Sequence, residues 1–215
     1  MLREVISNDF YTIIIVLGLV IVAVAKLTSP KRFDDFVSVL VNSKYLKVYA
    51  REQKFLDKFD ALLFANLVIS MSLFSFIVYR FFMNTKIVPV DIMVKLSVGI
   101  CLFILIKVLI ERLIGSLLEI DDIIDQYLFQ KISYKNYLGI VLIPINTFLL
   151  FSFKPSMPFF YVSVILLIIV VLIGLFTSFK AHQSFIKHNF FYFILYLCAL
   201  EIAPYIILYK VFISK

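Results

Sequence analysis

The chain has 215 residues and a formal net charge of +7, with 63% hydrophobic residues, 24 Phe, no Trp and only 16% charged residues. Its mean hydropathy of +1.04 lies far above that of a soluble domain, in which about half of the residues are apolar. Apolar runs and short turns consume nearly the whole length, which excludes a separate soluble catalytic domain of ordinary size.

A hydrocarbon core of about 30 Å takes about 20 helical residues, and a helix satisfies its own backbone groups. The expected fold is therefore an all-α, polytopic membrane helical bundle. It forms a single integral membrane domain over residues 1–215, with spans at 8–25, 60–82, 90–110, 136–153, 159–179 and 189–210. The first apolar run has no small-residue cleavage site after it, because Lys26 and Ser29-Pro30 follow directly, and it reads as a retained anchor.

Residues 29–59 form an amphipathic segment between the first two spans. Ser29 can cap a helix with Pro30 in its first turn, and Phe33, Phe36, Val37 and Leu40 recur at helical spacing. Tyr45, Leu46 and Tyr49 restart the pattern after Asn42-Ser43. The expectation is two helices on the inner leaflet, with Lys31, Arg32, Lys44, Lys47 and Arg51 meeting anionic headgroups. Asp34, Asp35, Glu52 and Asp57 dilute the basic patch, so the lipid bilayer is an expected partner and nucleic acid is not.

In the second span Ala61, Ala65, Ser72 and Ser75 share a face, a small-residue stripe suited to helix packing, with Asn66 and Ser70 as hydrogen-bonding groups nearby. The third span carries Lys95 and Lys107, each four residues from an acid, Asp91 and Glu111, so each lysine can pair locally or snorkel. Past its end, Asp121, Asp122 and Asp125 spell D-D-x-x-D, a pattern that can hold Mg²⁺ against a diphosphate. That chemistry needs a second acidic motif, which the other spans lack, and the plainer reading is a solvated helix end.

In the fourth span Pro144 frees a carbonyl that Asn146 or water can satisfy, which predicts a kink. His182 and His188 are too far apart for one helix face, and Cys101 and Cys198 lack metal-ligand spacing. No catalytic residue, metal or cofactor is expected. Glu201 stands in the sixth span with no cation within four positions and Pro204 close behind it. Such an intramembrane carboxyl is either a structural bonding group, facing Lys95, Lys107 or an asparagine, or a titrating site.

Thirteen basic residues in loops and tails fall on one side against six on the other, led by Lys26, Lys31, Arg32, Lys44, Lys47, Arg51, Lys54 and Lys58 in the first loop. The positive-inside rule then places both termini in the periplasm.

The stretches SPKRFDDF, KYLKVYARE, NYLGIVLIPIN and above all YLCALEIAPYIILYK, which runs from Tyr196 to Lys210, resemble an integral-membrane family of Bacteroidota that is a domain of unknown function. The resemblance covers nearly the whole chain and implies a bacterial inner-membrane location. It also implies genes near a haem-pathway uroporphyrinogen-III synthase, and it carries over no catalytic residue. The expected role is a non-enzymatic subunit or assembly factor of an envelope complex with a membrane-protein partner; confinement to one phylum fits that phylum's own secretion or gliding machinery. The alternatives are a small transporter or proton-coupled protein using Glu201, and a lipid-diphosphate enzyme using Asp121, Asp122 and Asp125.

Overall fold

A computed structural model describes residues 9–42, 44–50, 57–83, 90–117, 121–151, 157–181 and 210. Its elements are all α-helices: α1 (Asp9–Thr28), α2 (Pro30–Val37), α3 (Lys44–Tyr49), α4 (Lys58–Met83), α5 (Val90–Leu117), α6 (Asp121–Phe151) and α7 (Met157–Ala181). Five of them, α1, α4, α5, α6 and α7, are long and apolar enough to cross a membrane, and the chain is a multi-pass membrane protein. The sixth expected span, with Glu201, lies outside the described residues except for Lys210.

α4 is central: it packs against α1, α5 and α6, and α6 in turn packs against α7. Apolar side chains gain little by leaving lipid for one another, so helices in a bilayer associate where their backbones can approach closely. Such an approach occurs at Gly139 on α6, where a Cβ would lie 2.7 Å from the Leu67 Cα on α4. The expected small-residue stripe does not act as one packing face, since Ala61 is exposed and Ala65 and Ser75 are only half-buried. Ser72 is buried and its hydroxyl donates within its own helix to the Val68 carbonyl at 2.6 Å.

α5 and α6 both run past the expected span ends. Between the expected third and fourth spans, α5 continues to Leu117 and α6 begins at Asp121, and the two pack antiparallel. Ile104, Val108, Ile124, Leu128 and Ile132 form their own apolar seam, and Gly115 lets the Ile124 side chain fit against α5.

Much of the apolar side of the described residues between α1 and α4 packs on protein, although Val37, Val41 and Val48 are exposed. Phe36, Val39, Tyr45 and Leu46 are buried against Ala25 of α1, Phe59 and Leu63 of α4 and Phe129 and Tyr134 of α6. Phe36 sits edge-on to Tyr45 and Phe59, at ring-centroid distances of 5.3 and 5.9 Å, and Tyr45 stacks on Phe129 at 5.6 Å. Pro30 does open α2, but Ser29 makes no side-chain cap bond; Asn42 caps α3 instead, its side-chain oxygen accepting from the Lys44 amide at 3.0 Å. The pair α2–α3 is thus a strap folded across one end of the bundle.

Replacing Gly139 with Leu forces α4 and α6 apart. Overpacking of this kind costs about 1–3 kcal/mol, so Gly139→Leu should unfold at clearly lower SDS fraction in mixed-micelle titrations, whereas Gly99→Leu, where a Cβ meets nothing within 4 Å, should not.

Candidate functional site

The buried polar side chains gather in three layers. At the strap end, Arg32 of α2 reaches down to α4: Nη1 donates to Asp57 and Nη2 donates to Asp60 at 2.7 Å. The guanidinium lies over the rings of Tyr49, at 5.2 Å, and Phe59, at 4.8 Å, so aromatic faces replace much of its lost water. Arg32 is therefore a clamp, with its side chain only 13% exposed, and does not meet headgroups as expected. Lys31, Lys44 and Lys47 do face outward, with Lys44 also paired to Asp35 at 3.1 Å; Arg51 lies outside the described residues.

Tyr45 and Ser133 complete this layer. The Tyr45 hydroxyl is close to Arg32, Asp60 and Ser133, none of them in strict hydrogen-bond geometry. Burial first, and the Asp60 charge second, raise the Tyr45 phenol well above its ordinary value. It stays a neutral hydroxyl throughout the physiological pH range.

The second layer belongs to the α5–α6 hairpin. Glu111, expected to pair with Lys107 one turn away, also meets Lys131 of α6, at 2.5 Å. Glu111 is fully buried and Lys107 is 4% exposed, so these charges sit inside the protein and do not snorkel. Lys131 also lies 5.5 Å from the Tyr127 ring centroid. Near the hairpin tip Arg112 approaches Asp125 at 3.5 Å, which places a cation against one member of the acidic string; Asp121 is exposed. Among the described residues no group of three or more His, Cys, Asp or Glu is placed to hold a metal ion.

The third layer joins the middle of α4, at Asn66 and Ser70, to Asn146, five residues before the end of α6. The Asn146 amide donates across the interface to the Ser70 carbonyl at 2.8 Å, so it bonds a neighbouring helix and not its own proline-freed carbonyl. The Ser70 hydroxyl approaches the Asn66 side-chain oxygen at 3.5 Å. Gly18 on α1 leaves room for that oxygen, since a Cβ there would come within 3.2 Å of it. Lys95 takes no part, pairing with Asp91 at 2.6 Å on an exposed part of α5.

Sequence reasoning missed Asp57, Asp60, Tyr45, Gln130, Lys131, Ser133 and Asn136. A signal was present on α6, where the buried Gln130, Ser133 and Asn136 recur at threefold spacing. Tyr45 meets Ser133, and Lys131 meets Glu111, across distant parts of the chain, which no local pattern reveals.

Residues 11–212 match the family described as Domain of unknown function (DUF4271), and the chain belongs to that family. No curated protein and no solved structure matches the chain.

Breaking a buried ion pair from one side strands the other charge and costs about 3–5 kcal/mol. Glu111→Ala should therefore be strongly destabilising in detergent, and the double variant Glu111→Leu with Lys131→Met should recover most of the loss. Differential scanning fluorimetry of the purified protein reads both outcomes.

Proposed function

We propose that this protein is a non-enzymatic subunit or assembly factor of a bacterial inner-membrane complex, presenting the α2–α3 strap to the cytoplasm. The observation that carries this reading is the way the strap is held. Arg32 and a buried ring cluster lock it to three spanning helices, while Lys31, Lys44 and Lys47 remain on its outer side. A segment that only set topology would need its positive charges but no such attachment. The strap then serves as a fixed platform for an acidic face of a membrane-protein partner, with the anionic inner leaflet around it.

The sequence of basic loops supports the same orientation, with both termini in the periplasm. The resemblance to Bacteroidota proteins points to an envelope complex of that phylum, such as its secretion or gliding machinery.

A second reading, proton or solute coupling, is favoured by the amide layer of Asn66, Ser70 and Asn146 inside the spans. Buried polar groups at such depth are uncommon and are functional candidates. In that reading Glu201 is the titrating group.

Two measurements separate the readings. Mild-detergent purification of the native-level protein should recover a stoichiometric membrane partner, and Lys31→Glu with Lys47→Glu should release it without lowering the amount of folded protein. A consistently solitary protein contradicts the scaffold. Glu201→Gln should leave assembly and growth intact if the scaffold reading holds, and should abolish function if the carboxyl must titrate. A phosphatase reporter fused after Lys215 should be active and a cytoplasm-only fluorescent reporter dark; the reverse pattern overturns the orientation.

A further inference from the structure

The strap keeps three apolar side chains off the protein: Val37 is 46% exposed, Val41 94% and Val48 43%. An exposed valine by itself is ordinary, so the weight lies on where these three stand. Val37 ends α2, Val41 follows it by four residues, and Val48 stands one turn after Lys44 and next to Lys47 on α3. The inward sides of α2 and α3 share one apolar cluster. Their other side, with the three valines and Lys31, Lys44 and Lys47, turns away from the bundle.

The cluster also sets the height of the strap. It is anchored on Ala25 near the end of α1, on Phe59 and Leu63 at the start of α4, and on Phe129 and Tyr134 of α6. The apolar runs of these helices stop or start at residues 25, 60 and 136, so the strap lies where the bundle passes from hydrocarbon to headgroups. Leu27, 79% exposed in the last turn of α1, carries the lipid-facing side of that helix to the same height, three residues before Pro30.

Charge agrees with that position. Asp57 and Asp60 occupy Arg32, and Asp35 is paired with Lys44, which leaves Lys31 and Lys47 against the exposed Asp34. The surplus is positive, and it complements an anionic leaflet. Apolar side chains set among lysines at headgroup height have the chemistry of a segment that lies in the membrane interface. We propose that the outer side of the strap is seated in the bilayer, with Val37, Val41 and Val48 at the boundary of headgroups and acyl chains and Lys31 and Lys47 among anionic headgroups. The inference deepens the reading above and rests on it for which leaflet is met. Lipid then covers the side opposite to the ring face, and the strap is gripped by protein on one side and by the leaflet on the other.

The test uses the purified full chain, with no partner, in vesicles of phosphatidylcholine and phosphatidylglycerol. Val41→Cys and Val48→Cys, in a background of Cys101→Ser and Cys198→Ser, carry nitroxide labels. Leu17→Cys, exposed in mid-span on α1, and Asp121→Cys, exposed at the start of α6, serve as references. Oxygen concentrates in hydrocarbon and a nickel chelate stays in water, so the ratio of their collision rates reads depth. Both strap labels should lie about 5–10 Å into the headgroup and acyl boundary, between the two references. A ratio like that of the Asp121→Cys label places the strap in water and overturns the proposal. Protection from both reagents shows a cover of protein, here a second copy, and overturns it equally. Lys31→Gln with Lys47→Gln should lower the association of spin-labelled phosphatidylglycerol relative to phosphatidylcholine on the order of two-fold; an unchanged preference overturns the headgroup contact. The vesicles hold no partner, so failure of the scaffold reading, a solitary protein from native membranes, leaves these readouts untouched.

Discussion

The structure depends on the contact between α4 and α6 at Gly139, where a helix without a side chain meets the backbone of Leu67. In a bilayer the hydrophobic effect does not drive helices together, so close backbone contact and bonds between polar groups have to do so. The Gly139 contact supplies the first. It draws the interface tight enough for Asn146 to reach the Ser70 carbonyl, and it sets the height at which α6 presents Ser133 and Phe129 to the strap. The α6–α7 contact repeats the device: a Cβ at Gly174 would sit 2.8 Å from the Tyr134 ring.

Charge then fixes what apolar contact leaves undetermined. Rings of Phe and Tyr pack adequately in many orientations, and the cluster of Phe36, Tyr45, Phe59 and Phe129 alone does not specify how the strap lies. Arg32 does, because a guanidinium shared by Asp57 and Asp60 has a planar, directional fork and stays charged under any ordinary condition. Glu111 and Lys131 perform the same task for the α5–α6 hairpin. Both pins are specific because breaking them strands a charge, and each joins residues 20 or more apart in the chain.

Much of this architecture was legible in the sequence, and the part that was not has a physical cause. Runs of apolar residues give the spanning helices, because length and composition are all that crossing a membrane demands. Phe33 and Phe36 do lie in α2, which ends at the exposed Val37 before Leu40; their periodicity says only that a side is buried, and lipid and protein bury it equally well. Here the ring cluster takes it. Arg32 looked like a headgroup contact because it stands among Lys31, Lys44 and Lys47; its partners Asp57 and Asp60 looked merely like acids diluting a patch. Lys131 escaped notice as a partner of Glu111 because the packing that brings it alongside depends on α6 beginning some fifteen residues before its apolar run. Local spacing carries helix and face; it does not carry which face meets which.

The central claim is that Arg32 and Asp60 bind the strap to the spanning bundle. A double-mutant cycle on Arg32→Ala and Asp60→Ala, read from SDS unfolding in mixed micelles, tests it most directly. The account predicts a coupling free energy of about 1–3 kcal/mol, the range for residues in one ion-pair network. Additive effects, with a coupling below about 0.3–0.5 kcal/mol, would show that the two residues do not act on one another and would contradict it.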